Sequence, residues 1–99
     1  MMWRHGDILI AATAAIPSGA DRKPTSVLAW GEITGHSHRI EAEDTAAIFE
    51  YQGMTYLNVT AATARLVHQE HQPITIPRGT YRFWYQREYS PEAIRRIVD

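Results

Sequence analysis

Ala46-Ala47-Ile48-Phe49-Glu50-Tyr51-Gln52-Gly53-Met54-Thr55-Tyr56-Leu57-Asn58-Val59-Thr60 is the stretch that decides the fold. Two runs rich in apolar, aromatic and β-branched residues flank Gln52-Gly53. Two residues are the spacing of a tight β-hairpin, and the glycine is free to take the positive φ that such turns require. Working outward, Ala64 to His68 reads as another short strand, and Thr60 to Ala64 as a helical turn before it. Pro77 and Gly79 divide Ile74-Thr75-Ile76 from a last strand, Gly79 to Gln86, whose alternating aromatics suit a pleated surface. Upstream, Met2 to Arg4, Asp7 to Ala12, Val27 to Ile33 and His36 to Ile40 read as strands. Ile16 to Thr25 is a loop by its prolines, glycine and serine. Glu41, Glu43 and Asp44 make an acidic turn.

About seven or eight short strands at this spacing mean an all-β fold, a small antiparallel β-barrel or sandwich. Apart from the turn at residues 60–64, only the C-terminus reads as helical, as one short turn. Ser90 is placed to cap it, Pro91 suits the first helical position, Glu92 favours the dipole, and Ile94 and Ile97 share a face. Such a turn is too short to stand alone and must dock on the sheet.

The chain of 99 residues is 44% hydrophobic and 21% charged, with a formal net charge of −1. That balance describes one globular domain over residues 1–99 and excludes a disordered tail or a strongly basic nucleic-acid arm. No apolar run approaches the ~20 residues of a membrane helix. With no cysteine, disulfides and thiolate metal sites are excluded. Ile8 to Ile16 imitates a signal peptide, but Asp7 puts a negative charge where the basic region should meet the apolar one, so a cytoplasmic protein is expected.

The informative residues are histidines. His36 and His38 stand at i, i+2, which on a strand sends both imidazoles to one face. His68 and His71 stand at i, i+3, which converges on a helical turn or where a strand end bends, and Pro73 favours the bend. Four imidazoles in two tight pairs suit a divalent transition metal such as zinc, iron, manganese or nickel. Glu70, inside the second pair, is placed to act as a ligand, as a partner fixing a histidine tautomer, or as a general base. His5, followed by the Gly6-Asp7 turn, reads as standing outside this group.

His36-Ser37-His38 on a strand, then Glu43, then Ile74-Thr75-Ile76-Pro77-Arg78-Gly79, resembles the cupin pattern of small metal-binding β-barrels over roughly residues 31 to 82. The resemblance implies a barrel with His36, His38 and Glu43 at its metal. The chain departs from that pattern in three places. Gly31 is one residue too close to His36, Arg82 occupies the last histidine's position, and His68 and His71 precede the second motif. No reaction transfers with the resemblance, because that fold hosts many functions.

A second constellation is Tyr81-Arg82-Phe83-Trp84-Tyr85-Gln86-Arg87. One reading is a strand buried on one side. The other is an arginine–aromatic platform for RNA, with Tyr81 and Arg82 joining the histidines to bind or cleave it. The leading expectation is divalent-metal binding by His36, His38, His68 and His71 with Glu70 in or beside the coordination sphere, which suits a hydrolase or oxygenase acting on a small molecule. RNA binding or cleavage is the alternative. Aromatic-rich strands with apolar surface to bury lead us to expect a homodimer.

Overall fold

The computed structural model describes residues 1–31, 35–89 and 94–96, with side chains through residue 86. In chain order the strands are β1 (Met2–His5), β2 (Ile8–Ala12), β3 (Asp21–Lys23), β4 (Val27–Trp30) and β5 (Ser37–Ile40). A 3-10 turn at Glu43–Thr45 follows, then β6 (Ala46–Tyr51), β7 (Met54–Val67), β8 (Ile74–Tyr85), β9 (Arg87–Tyr89) and β10 (Ile94–Arg96). All strand pairings are antiparallel. The main sheet runs β1-β2-β8-β7-β5-β4, with β6 also on β7 and β3 on β6.

The hairpin read from Gln52-Gly53 is present, with Tyr51 opposite Met54 and positive φ at both turn residues, 50° and 79°. Two left-handed residues match the right-handed twist of the flanking strands, so the turn sets the β6–β7 register. The β1–β2 turn is equally tight, with His5 opposite Ile8 and Gly6 at φ 62°.

No helical turn interrupts β7. Its ladder with β8 slips between Val59 and Thr63, and the strand continues through the slip. The residues that face the core change parity there, from Leu57 and Val59 to Ala64 and Leu66. On β8 they change from Ile76 to Tyr81 and Phe83. Gly79, at φ 153°, sits at that level in a backbone region essentially reserved for glycine. A bulge of this kind bends the hairpin while keeping its apolar side inward. The first half of β7 thus pairs with β6 and the second half with β5. One core joins both halves, through Ile8, Ile10, Ala29, Ile40, Ile48, Leu57, Leu66, Ile76 and Phe83.

Among the described residues the outer strands β1 and β4 do not pair with each other, so the sheet is not closed. The architecture is a bent, sandwich-like sheet rather than a barrel. Asp21–Lys23, expected in a loop, forms β3 because the outer edge of β6 offers it a backbone partner, reinforced by the Lys23–Glu50 ion pair at 3.2 Å. Of the expected C-terminal helical turn, Ser90, Pro91, Glu92 and Ile97 lie outside the described residues. Ile94–Arg96 are a strand paired with Arg87–Tyr89, a two-stranded solution open to a segment too short for a stable helix. Ile33, read as the end of a strand, also lies outside the described residues. No helix among the described residues is long and apolar enough to cross a membrane.

Candidate metal centre

The histidines converge because three chain segments end at the same place. Arg39 pairs with Val67, so the next step of that antiparallel register sets His38 beside His68. The connection from β7 to β8 then bends at residues 69–71, returning His71 to the same spot. Ring centroids lie 4.4 Å apart for His38 and His68, 4.4 Å for His68 and His71, and 5.6 Å for His38 and His71. One nitrogen from each of these three imidazoles lies within 4.8 Å of the others. Gln69 anchors the β5 side of this arrangement, its Oε1 accepting from the Ser37 N–H at 3.0 Å.

His5, which the sequence leaves outside, is a member of the cluster. The tight β1–β2 turn swings it inward, where it is buried, its ring 5.0 Å from His38 and 5.7 Å from His71. The turn read at Gly6-Asp7 is there; it aims His5 into the cluster. Only the pairing of β1 with the rest of the sheet reveals this, and no motif in the chain signals it. Gly6 is part of the same packing. A Cβ built there would meet His71 Nε2 at 2.6 Å and His38 Cε1 at 2.9 Å, so the imidazoles occupy the space that any side chain would fill.

His36 borders the rings of His38, His68 and His71 on the side of His68. Strand β5 begins at Ser37, one residue after His36, whose carbonyl accepts from the Gly31 N–H at 2.7 Å. The His36 ring lies 5.6 Å from that of His68, and its Nδ1 lies 3.5 Å from Glu70 Oε2. The Glu70 side chain is 65% exposed, so the His36–Glu70 pair forms the solvent side of the cluster. Tyr81 and Arg82 are used elsewhere. The Tyr81 hydroxyl donates to the Pro77 carbonyl at 2.6 Å, its ring packs edge-on against Trp3, and burial pushes its phenol up. Arg82 stacks its guanidinium over Trp84 at 5.4 Å. Glu43 is exposed in the 3-10 turn and borders a cavity with Arg22 and Lys23.

The electrostatics favour neutral rings. Burial, then the neighbouring His68, His5 and His71, push the His38 imidazole down to about 3, against a smaller opposing effect of Asp7. Burial first, then His71 and His68, lowers His5 in spite of its bond to the Gln72 carbonyl. Burial, His71 and His36 lower His68 against the opposing Glu70. A neutral imidazole keeps a lone pair for a metal.

Two observations fit this donor set to a cation. The cradle at Gly6 holds His38 and His71 against bare backbone. His68 Nε2 is buried with no hydrogen-bond partner, while Nδ1 of the same ring accepts from the Glu70 N–H at 3.0 Å. A buried nitrogen left without a partner costs about 1–3 kcal/mol, which a cation offsets once the proton that the Glu70 contact places on Nε2 has moved to Nδ1 or been released.

The fold and the cluster together define a class of small antiparallel β protein with a histidine-rich site where strand ends meet. Residues 4–86 match the family model described as Domain of unknown function (DUF8820), and the chain belongs to that family. Neither a curated protein nor a solved structure matches it.

Proposed function

We propose that this protein binds a divalent transition metal ion through His38, His68 and His71. The observation that carries the reading is the approach of three imidazole nitrogens to within 4.8 Å of one another. Three imidazoles suit zinc, iron or manganese, and three protein ligands are the number that leaves a coordination position open. A metal so held supplies Lewis-acid chemistry at that position. The His36–Glu70 pair, on the exposed side next to His68, is placed to take a proton from a group bound there. This arrangement supports hydrolysis of a small molecule more directly than oxidation.

The test uses untagged protein stripped of metal and titrated with zinc, manganese and iron(II). The expected result is one ion per chain and a raised melting temperature, since a ligand at 100 times its Kd stabilises the folded state by about 2.7 kcal/mol. His68→Ala and His71→Ala should lose both effects. No uptake of any of the three ions by the folded protein overturns the proposal. Salt-sensitive binding of single-stranded RNA alongside that failure would put the Arg82–Trp84 strand in its place.

A further inference from the structure

Two hydrogen bonds behind His38 determine which of its nitrogens faces a ligand. His5 Nε2 lies 2.9 Å from the Gln72 carbonyl oxygen, and His5 Nδ1 lies 3.0 Å from His38 Nδ1. A carbonyl only accepts, so His5 must carry its proton on Nε2 and donate to Gln72. In a neutral ring that leaves His5 Nδ1 as a lone pair. The contact with His38 then closes only if His38 carries its proton on Nδ1 and donates it to His5. Both rings are buried, at 2% and 0% exposure, and burial disfavours the doubly protonated form that would reverse these roles.

We propose that His5, held by the Gln72 carbonyl, is a positioning residue that fixes His38 in the Nδ1–H tautomer, so that Nε2 is the nitrogen His38 offers to a metal. The inference rests on His38 being a ligand, but the tautomer it assigns exists without metal. Histidine ligands elsewhere are oriented by carboxylates or carbonyls accepting from their second nitrogen, and loss of such a partner lowers metal affinity by about 10–100-fold. Here a second imidazole does that work and passes the bond to the main chain. His5 comes from β1 and Gln72 from the β7–β8 connection, so the relay forms only when those segments have docked.

The experiment records long-range proton–nitrogen spectra of the imidazoles in metal-free full-length protein at pH 7.5. The expected spectrum shows His5 protonated on Nε2 and His38 on Nδ1. His5→Phe keeps a ring but breaks the relay, so His38 should become a mixture of tautomers and zinc affinity should fall about 10–100-fold. His5→Asn, whose Oδ1 can accept in place of Nδ1, should restore the tautomer and most of the affinity. A wild-type His38 protonated on Nε2 overturns the inference, as does a folded His5→Phe protein with an unchanged His38 tautomer. If His5→Phe does not fold, the wild-type spectrum still decides. The assigned tautomers in a protein that takes up no zinc would sustain the role of His5 and sink the metal reading instead.

Discussion

Gly6 and His71 are packed so closely that a methyl group on the glycine would stand 2.6 Å from the imidazole Nε2. The glycine also holds a left-handed φ of 62°. Gly53 is left-handed as well, at 79°, but a Cβ there meets nothing within 4 Å. Alanine at either position should destabilise the fold by about 1–2 kcal/mol through backbone strain. Only Gly6→Ala should also displace His71 and weaken zinc binding. Urea denaturation and zinc titration of the two variants check this, and equal zinc affinities would remove Gly6 from the site.

The metal-free protein should lose stability in acid over a defined window. The unfolded histidines take up protons near 6.5, whereas folded His38 does so only at about 3, and His5 and His68 are also lowered. Between those values the unfolded state holds more protons, so stability falls as pH drops below 6.5 and is level above it with respect to these groups. Urea midpoints at pH 7.5, 6.5, 5.5 and 4.5 would show the decline. A flat series would mean that His38 is charged in the folded state at little expense.

Glu70→Gln tests the three roles open to that carboxylate. Its exposure and its 3.5 Å contact with His36 make it a surface partner, whose loss should change stability by less than about 1 kcal/mol. Zinc content should be retained. A tenfold loss of zinc affinity would place the carboxylate among the ligands, whereas collapse of an assayed hydrolysis with zinc still bound is what proton acceptance by Glu70 requires.

The Glu70 main chain should respond to metal. Its N–H donates to His68 Nδ1, so the neutral ring carries its proton on Nε2. Coordination through Nε2 moves the proton to Nδ1, where it opposes that N–H. The Glu70 amide resonance should therefore shift strongly on zinc addition, by more than amides of β6. An unmoved amide would mean that His68 binds zinc through neither nitrogen.

Tyr81→Phe removes a buried hydroxyl that serves the Pro77 carbonyl. The expected effect is a loss of about 1 kcal/mol of stability with unchanged zinc affinity. Altered zinc affinity in that variant would tie Tyr81 to the site.

Local chemistry alone was enough for much of this protein. The Gln52-Gly53 hairpin, the strand character of most segments and the bend that joins His68 to His71 follow from turn residues and side-chain period, which act over a few residues. Proline and glycine also argued for a loop where β3 forms, and residues 60–64 read as a helical turn where β7 continues, because pairing partners for those segments lie far away in the chain. The histidine pairs were legible as spacings, and His38, His68 and His71 do meet. Which histidines share the centre was a matter of tertiary structure: the bulge that hands β7 from β6 to β5 brings His38 to His68, and the docking of β1 brings in His5. His36, by contrast, falls just before its strand begins and turns to Glu70. The tautomers of His5 and His38 depend on contacts 33 and 67 positions apart in the chain, the glycine cradle likewise joins distant segments, and no local pattern encodes those.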